Sequence, residues 1–338
     1  MTEFKTGAIP SPPDKRDYSF RKYNTPHSLP DRFVRSVVHL KDQGRLGSCV
    51  GFASSYCKDE QEHRNHPGRR YNTSPLYTYA ECKKIDGIPH VEGTYIRTAN
   101  KVTQHQGICL EKTFPYTDDK PIRDVPQEAH EEAAQYKIKH YTAVHNAHEL
   151  KQAIFDHGYV VAGFTVLSTF LEPEITDNGA FIPKPEGYIL GGHAVSVIGY
   201  DDNLEHTYKN GERYKGFIKI VNSWQHADGT WWGDESTAWI PYELLWRDIS
   251  RDMPGWTFLT EAWAWQDEVT EVPPAEEIKL IIGSDKAVVD GEEITIQQAP
   301  FIDPASDRTV VPLRFISEVL GYEVQWDGSK REITIRRG

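Results

Sequence analysis

Cysteine is scarce in this sequence of 338 residues, which has only Cys49, Cys57, Cys82 and Cys109. Four thiols in so long a chain do not make a disulfide scaffold. They also lack the paired C-x-x-C spacing of a structural zinc site. The 14 histidines are scattered, with no H-E-x-x-H pair, so neither a metal centre nor another cofactor is expected. Long apolar runs are missing too: nothing approaches the roughly 18 residues of a membrane span, and mean hydropathy is -0.60. The opening stretch MTEFKTGAIPSPPDKRDYSF lacks the apolar core of a secretory signal, so nothing in it directs export and localisation stays open. Basic charge is in deficit. A net charge of -12 without a basic stripe argues against nucleic acid as the main partner, because phosphate binding needs a cationic face.

What is present has a clear order along the chain. Residues 1–28 are rich in Pro, Asp, Lys and Arg and read as an extended arm. Residues 29–265 read as one globular domain. Within it, Phe52, Ala53 and Tyr56 follow Cys49 at helical spacing, with Gly47 and Ser48 just before and Ser48 a candidate N-cap. ELKQAIFDHG (149–158) is a second helix, stopped by Gly158. YVVAGFTV (159–166), GHAVSVIGYD (192–201) and YKGFIKIVNSW (214–224) read as strands. The Asn210-Gly211 step between the last two is a strong hairpin signal. A helix-rich front and a strand-rich back imply an α+β fold of two unlike lobes. The acidic, Pro-Pro-containing segment 266–277 reads as a linker. Residues 278–338 form a small α+β module, with short strands around one helix over 311–321.

The stretch DQGRLGSCVGFAS (42–54) raises the question of function. A lone thiol either fills core space or is a nucleophile at a helix start. The second reading demands a histidine as proton carrier and donors for an oxyanion. His193 heads an apolar strand after two glycines that let another backbone pass close. Asn222 ends the next strand, where its amide oxygen can orient the imidazole, with Trp224 as a lid over that hydrogen bond. Gln43 can supply one oxyanion donor and the Cys49 N–H the other. On this reading Cys49 and His193 form an ion pair, with the thiol lowered to about 3.5–7.5. Cys57 reads as packing, and Cys82 and Cys109 as structural.

The motifs DQGRLGSC, GGHAVSVIGY and NSW…WWGD…AWIPYELL resemble the papain-like cysteine peptidases. His193 lies 144 residues after Cys49, inside the interval of roughly 130–150 typical there; Asn222, 173 residues after it, overshoots. LPDRFV and EKTFPY (111–116) extend the likeness over residues 29–250. It implies a two-lobed papain-like fold, a polypeptide substrate, Cys49 as nucleophile, His193 as acid and base, Asn222 as orienter and Gln43 in the oxyanion hole. The chain departs from the family at Leu46, where a disulfide cysteine is common, and at Val50 and Gln225. A peptidoglycan peptidase or amidase with the same thiol chemistry, or a retired scaffold that only binds, are the alternatives.

Two accessory expectations follow. Residues 278–338 resemble the copper amine oxidase N-terminal-like domain, centred on VPLRFISEVLG and VQWD. That likeness implies an attachment module with a cell-wall or surface partner. No copper is expected, because no His or Cys follows His226. The arm before Leu29 is too short for a packed prodomain. Its Pro-stiffened segment 7–20 is expected to lie in or beside the cleft and restrain activity, with Tyr18 and Phe20 as anchors and Arg16 and Asp17 setting register.

Overall fold

The structure is a computed structural model that describes residues 4–66, 70–118, 124–249, 257–268, 277–296, 298–320, 322–327 and 330–337. Chain packing divides it into two units: Met1–Gln61 with Asn72–Glu268, and Glu62–Tyr71 with Val269–Gly338. Of the expected linker, residues 269–276 lie outside the described residues, as does Gly321.

The larger unit opens with a short strand, β1 (Ala8–Ile9), then helices α1 (Cys49–Asn65) and α2 (Pro75–Ile85). Strand β2 (Thr94–Tyr95) leads directly into α3 (Ile96–His105). After β3 (Ile138–Ala143) and α4 (Ala147–His157) come β4 (Val160–Leu167), β5 (Ile189–Thr207), β6 (Arg213–Val221), β7 (Thr237–Pro241) and β8 (Leu259–Asp267). These six long strands form a sheet in the order β3-β8-β4-β5-β6-β7, extended by short strands at Gly179–Phe181 and Glu174–Thr176. Fold class is thus α+β, as the sequence implies.

Local chemistry explains the element ends. Ser74 caps α2 by accepting the Tyr77 N–H at 3.1 Å, with Pro75 as the first helical residue. Asn146 caps α4 through the Glu149 N–H at 2.9 Å, and Gly158 ends that helix at a φ of 109°. The Asn210-Gly211 turn joins β5 to β6, where Thr207 faces Arg213.

Strand β4 is buried at every position, on both faces of the sheet, and is apolar except for Thr165. Val160, Ala162, Phe164 and Val166 join one core cluster, while Val161 joins a second on the opposite face. The same alternation along β5 sends Val195 and Val197 one way and Ala194 and Ile198 the other. Helix α1 lies on the second face: Ser196 Oγ donates to Ala53 O at 2.9 Å, and Cys57 Sγ lies 3.6 Å from Ser196 Oγ. Positions 49, 53 and 57 therefore track one strand, which puts Cys57 in packing.

The stripe expected on α1 is only part of the truth. Residues 49–61 are buried all round, including Lys58, Asp59 and Glu60. Their charges are paired: Lys41 with Asp59 at 2.7 Å, Arg35 with Glu60 at 2.8 Å, and Lys58 with Asp267. Burying such charges is tolerable only with partners in place.

A similar device fixes the loop before β2. Lys83, buried, donates to Asp86 Oδ2 at 2.7 Å and to the carbonyls of Ile88, Val91 and Gly93 at 2.8–2.9 Å.

The smaller unit carries a three-stranded sheet (Ile278–Leu280, Lys286–Val289, Glu292–Thr295), two hairpins and a helix, Leu313–Val319. Val289, Ile294 and Val319 make its core, with Ile278 and Phe315 against them.

The two neighbouring lysines of α2 give a direct test of the loop device. Lys83→Met leaves the buried Asp86 carboxylate unpaired and should cost about 3–5 kcal/mol in urea unfolding. Lys84→Met removes a half-exposed ion pair with Glu81 and should cost less than about 1 kcal/mol. Equal losses would contradict the assignment.

Candidate active site

The register of the sheet assembles the site. His193 pairs with Phe164 across β4 and β5, while Ser196 faces Val221 across β5 and β6. Asn222, one residue past the end of β6, then falls on the His193 face, because directly opposite residues share a face and diagonal neighbours lie within side-chain reach. His193 Nε2 lies 2.7 Å from Asn222 Oδ1. The same oxygen accepts the Ser223 N–H at 2.8 Å. A backbone N–H can only meet the oxygen of that amide, so the orientation of Asn222 is determined. Nε2 is therefore the protonated nitrogen, which leaves Nδ1 as the basic one. Nδ1 is buried and has no hydrogen-bond partner among the described residues. Trp224 stacks on the imidazole with ring centroids 4.1 Å apart.

Cys49 opens α1 and is fully buried. Its Sγ accepts the Ala194 N–H at 3.4 Å. Ser48 precedes it as expected, but its hydroxyl is not the helix cap. The Ser48 Oγ sits 2.7 Å from Tyr116 Oη, and its carbonyl instead accepts the N–H groups of Gly51 and Phe52. Gln43 is held by Ser223, whose hydroxyl donates to Gln43 Oε1 at 2.8 Å and whose carbonyl accepts the Gln43 N–H at 3.0 Å. That leaves Gln43 Nε2 to donate elsewhere.

It donates to Leu46 O at 2.9 Å and also to the chain's own N-terminal segment. Gln43 Nε2 donates to Lys5 O at 3.2 Å and Trp224 Nε1 donates to the same carbonyl at 3.1 Å. The indole thus shares this carbonyl with Gln43. Phe4 stacks on Trp224 with centroids 4.8 Å apart. Gly7 N–H donates to Gly192 O, Thr94 N–H donates to Gly7 O, and β1 then runs parallel to β2. The N–H groups of Gly7 and Ala8 face the Cys49 sulfur.

Glycines make this threading possible. A Cβ on Gly7 would lie 2.0 Å from Gly47 O, and one on Gly192 would lie 2.0 Å from Ala8 O. The close passage read into Gly191-Gly192 is therefore the passage of the arm.

The arm's expected anchors are elsewhere, and this corrects the sequence reading. The Tyr18 carbonyl accepts the Ala143 N–H at 2.7 Å, beside edge strand β3. Three strand spacings, about 14 Å, separate β3 from β5. Phe20 is buried in the core, edge-on to His157. Asp17 pairs with Arg97 at the start of α3 at 2.6 Å, and Arg16 pairs locally with Asp14. These contacts tether the arm to the body of the unit, and Phe4–Ile9 does the reaching.

Burial pushes the Cys49 thiol up to about 12 and the His193 imidazole down to about 4, the latter only partly offset by the bond to Asn222. Both groups are neutral near pH 7, because the arm has removed the water that would solvate a thiolate and an imidazolium.

Sequence reasoning missed Ser223, Tyr116 and residues 4–9. Ser223 sits inside the very step that flagged Asn222. The arm's signal is Gly7, the only glycine among its first 28 residues.

The four cysteines are free thiols, and Leu46 packs as core at the position where the family commonly carries a bridge cysteine. In residues 277–337 no His or Cys is present, so the donors that select copper are missing there.

Comparison with known proteins agrees with this architecture. Residues 263–335 match the copper amine oxidase N-terminal domain. An uncharacterised peptidase C1-like protein of Acanthamoeba polyphaga mimivirus is 27% identical over 269 residues, spanning 71% of this chain and 82% of that protein. The crystal structure of xylellain, a cysteine protease from Xylella fastidiosa, aligns with a TM-score of 0.58 at 25% identity, over 79% of this chain and 97% of that one. The cysteine protease and lectin-like domains of a surface layer associated protein of Clostridium difficile share the fold, with a TM-score of 0.57 at 17% identity over 84% of this chain and 61% of that one. Residues 25–242 match the papain family cysteine protease model, and the chain belongs to that family of cysteine peptidases.

Proposed function

We propose that the protein is an endopeptidase whose Cys49, His193, Asn222 and Gln43 hydrolyse peptide bonds, and that residues 4–9 hold it latent. The observation that carries this reading is the Lys5 carbonyl, a peptide oxygen bonded to Gln43 Nε2 beside the buried thiol.

With the arm displaced and water admitted, His193 Nδ1 takes the Cys49 proton and the thiolate attacks a substrate carbonyl carbon. The oxyanion collects at Gln43 Nε2 and its neighbouring donors. The imidazolium then protonates the leaving amine, which departs and leaves a thioester acyl-enzyme. His193 next deprotonates a water, that water attacks the thioester, and the released thiolate recovers its proton. Asn222 holds the ring in the tautomer that these transfers need.

Latency follows from two features. The arm fills the oxyanion position, and it presents N–H groups instead of a carbonyl carbon to the sulfur. It also keeps both partners neutral. A deletion that removes the arm should end at residue 9, since Ser11 bonds Glu261 and Phe20 is core.

Two outcomes test these roles. Cys49→Ala should abolish hydrolysis of a fluorogenic peptide, while Cys57→Ala keeps it within about twofold; similar behaviour of the two would remove the nucleophile assignment. Gly7→Ala adds one methyl against Gly47 O and should expel the arm. An overpacking cost of about 1–3 kcal/mol corresponds to a rise in kcat/KM of about fivefold to 150-fold. Unchanged kinetics in both Gly7→Ala and the residue 1–9 deletion would sink the latency proposal.

A further inference from the structure

The side chain of Lys5 turns toward an acid that the catalytic reading leaves unused. Lys5 Nζ lies 3.6 Å from Glu92 Oε2, while the Lys5 carbonyl occupies the donors of Gln43 and Trp224. One residue thus presents its carbonyl to the oxyanion donors and its ammonium to Glu92.

Glu92 is fixed where it stands. Its Oε1 accepts the Gly47 N–H at 2.7 Å, two residues before Cys49. The backbone on either side of it is held by Lys83, whose Nζ binds the carbonyls of Val91 and Gly93. Immediately beyond, Thr94 pairs with the arm through Gly7 O. The carboxylate is therefore tied to the cleft wall through both its own oxygen and its main chain, with Oε2 left toward the cleft. Its side chain is 47% exposed, so a ligand can reach it without a large desolvation cost.

We propose that Glu92 selects a basic side chain, lysine or arginine, on the substrate residue whose carbonyl is held by the oxyanion donors. This deepens the endopeptidase reading and rests on Gln43 as the donor. The arm is not a productive substrate, but it samples the same pair of recognition points. A carbonyl placed on Gln43 brings the side chain of its own residue within reach of Glu92. A glutamate or aspartate there would face like charge next to Cys49 and be disfavoured.

The test uses the full chain carrying Gly7→Ala, with peptides that differ only in the residue before the cleaved bond. Arginine and lysine peptides should be cleaved about fivefold better in kcat/KM than a glutamine peptide, the upper range for a half-exposed ion pair. Glu92→Gln keeps an acceptor for the Gly47 N–H, so it should bring the arginine-to-glutamine ratio near one. Glu92→Arg should reverse the preference in favour of glutamate. A ratio unchanged by Glu92→Gln would overturn the proposal. Binding of the same peptides to the Cys49→Ala form by calorimetry separates the two readings. An arginine preference there that vanishes in Glu92→Gln supports the Glu92 assignment even where no peptide is cleaved. Equal binding of arginine and glutamine peptides overturns it.

Discussion

The carbonyl of Lys5 resting on Gln43 and Trp224 is the contact on which the state of the site depends. Beside it Phe4 stacks on the indole and Gly7 passes between Gly47 and Gly192, and on the proposed reading the arm closes the cleft over Cys49. Everything else about the thiol follows from the resulting dryness. A thiol and an imidazole in contact with water can exchange a proton into an ion pair at little cost. Buried together, each is held neutral, because desolvation penalises the charged form of both. On the proposed reading the arm therefore does more than obstruct: it withholds the charge separation on which the chemistry runs.

The scaffold beneath that contact is stiff for a reason visible in its charges. Helix α1 carries Cys49 at its first residue and buried Lys58, Asp59 and Glu60 further along. Each of these has an ionic partner on another element, so the helix cannot slide along β5 without breaking several pairs at once. Lys83 does for the loop before β2 what a covalent bridge does elsewhere: one ammonium gathers a carboxylate and three carbonyls. With all four cysteines free, such buried cations are the devices available for fixing the walls of the cleft.

Much of this is legible in the sequence, for identifiable reasons. Glycine pairs, the Asn-Gly turn and the Asn-Ser-Trp step each carry a local geometric meaning, and they locate His193 and Asn222 in the order the sheet register requires. The stripe at Phe52, Ala53 and Tyr56 marks a helix, but periodicity alone does not reveal that its polar face is also buried, since ion pairing is set by partners distant in sequence. The arm reads wrongly in detail. Tyr18 and Phe20 look like apolar anchors, yet side-chain hydrophobicity serves the core, whereas cleft occupation here depends on the bare backbone at Gly7. The charge state of the thiol is likewise unreadable, because on the proposed reading it depends on exclusion of water by a segment about forty residues away in the chain.

Whether the docked arm keeps Cys49 neutral is decided by titrating its thiolate through ultraviolet absorbance, with Cys49→Ala as the blank. In the unaltered protein no Cys49 thiolate should form until the pH approaches about 12. In Gly7→Ala a thiolate should already be present at neutral pH, paired with the His193 imidazolium. A Cys49 thiolate at neutral pH in the unaltered protein, or identical titrations of the two, would refute the arm's role.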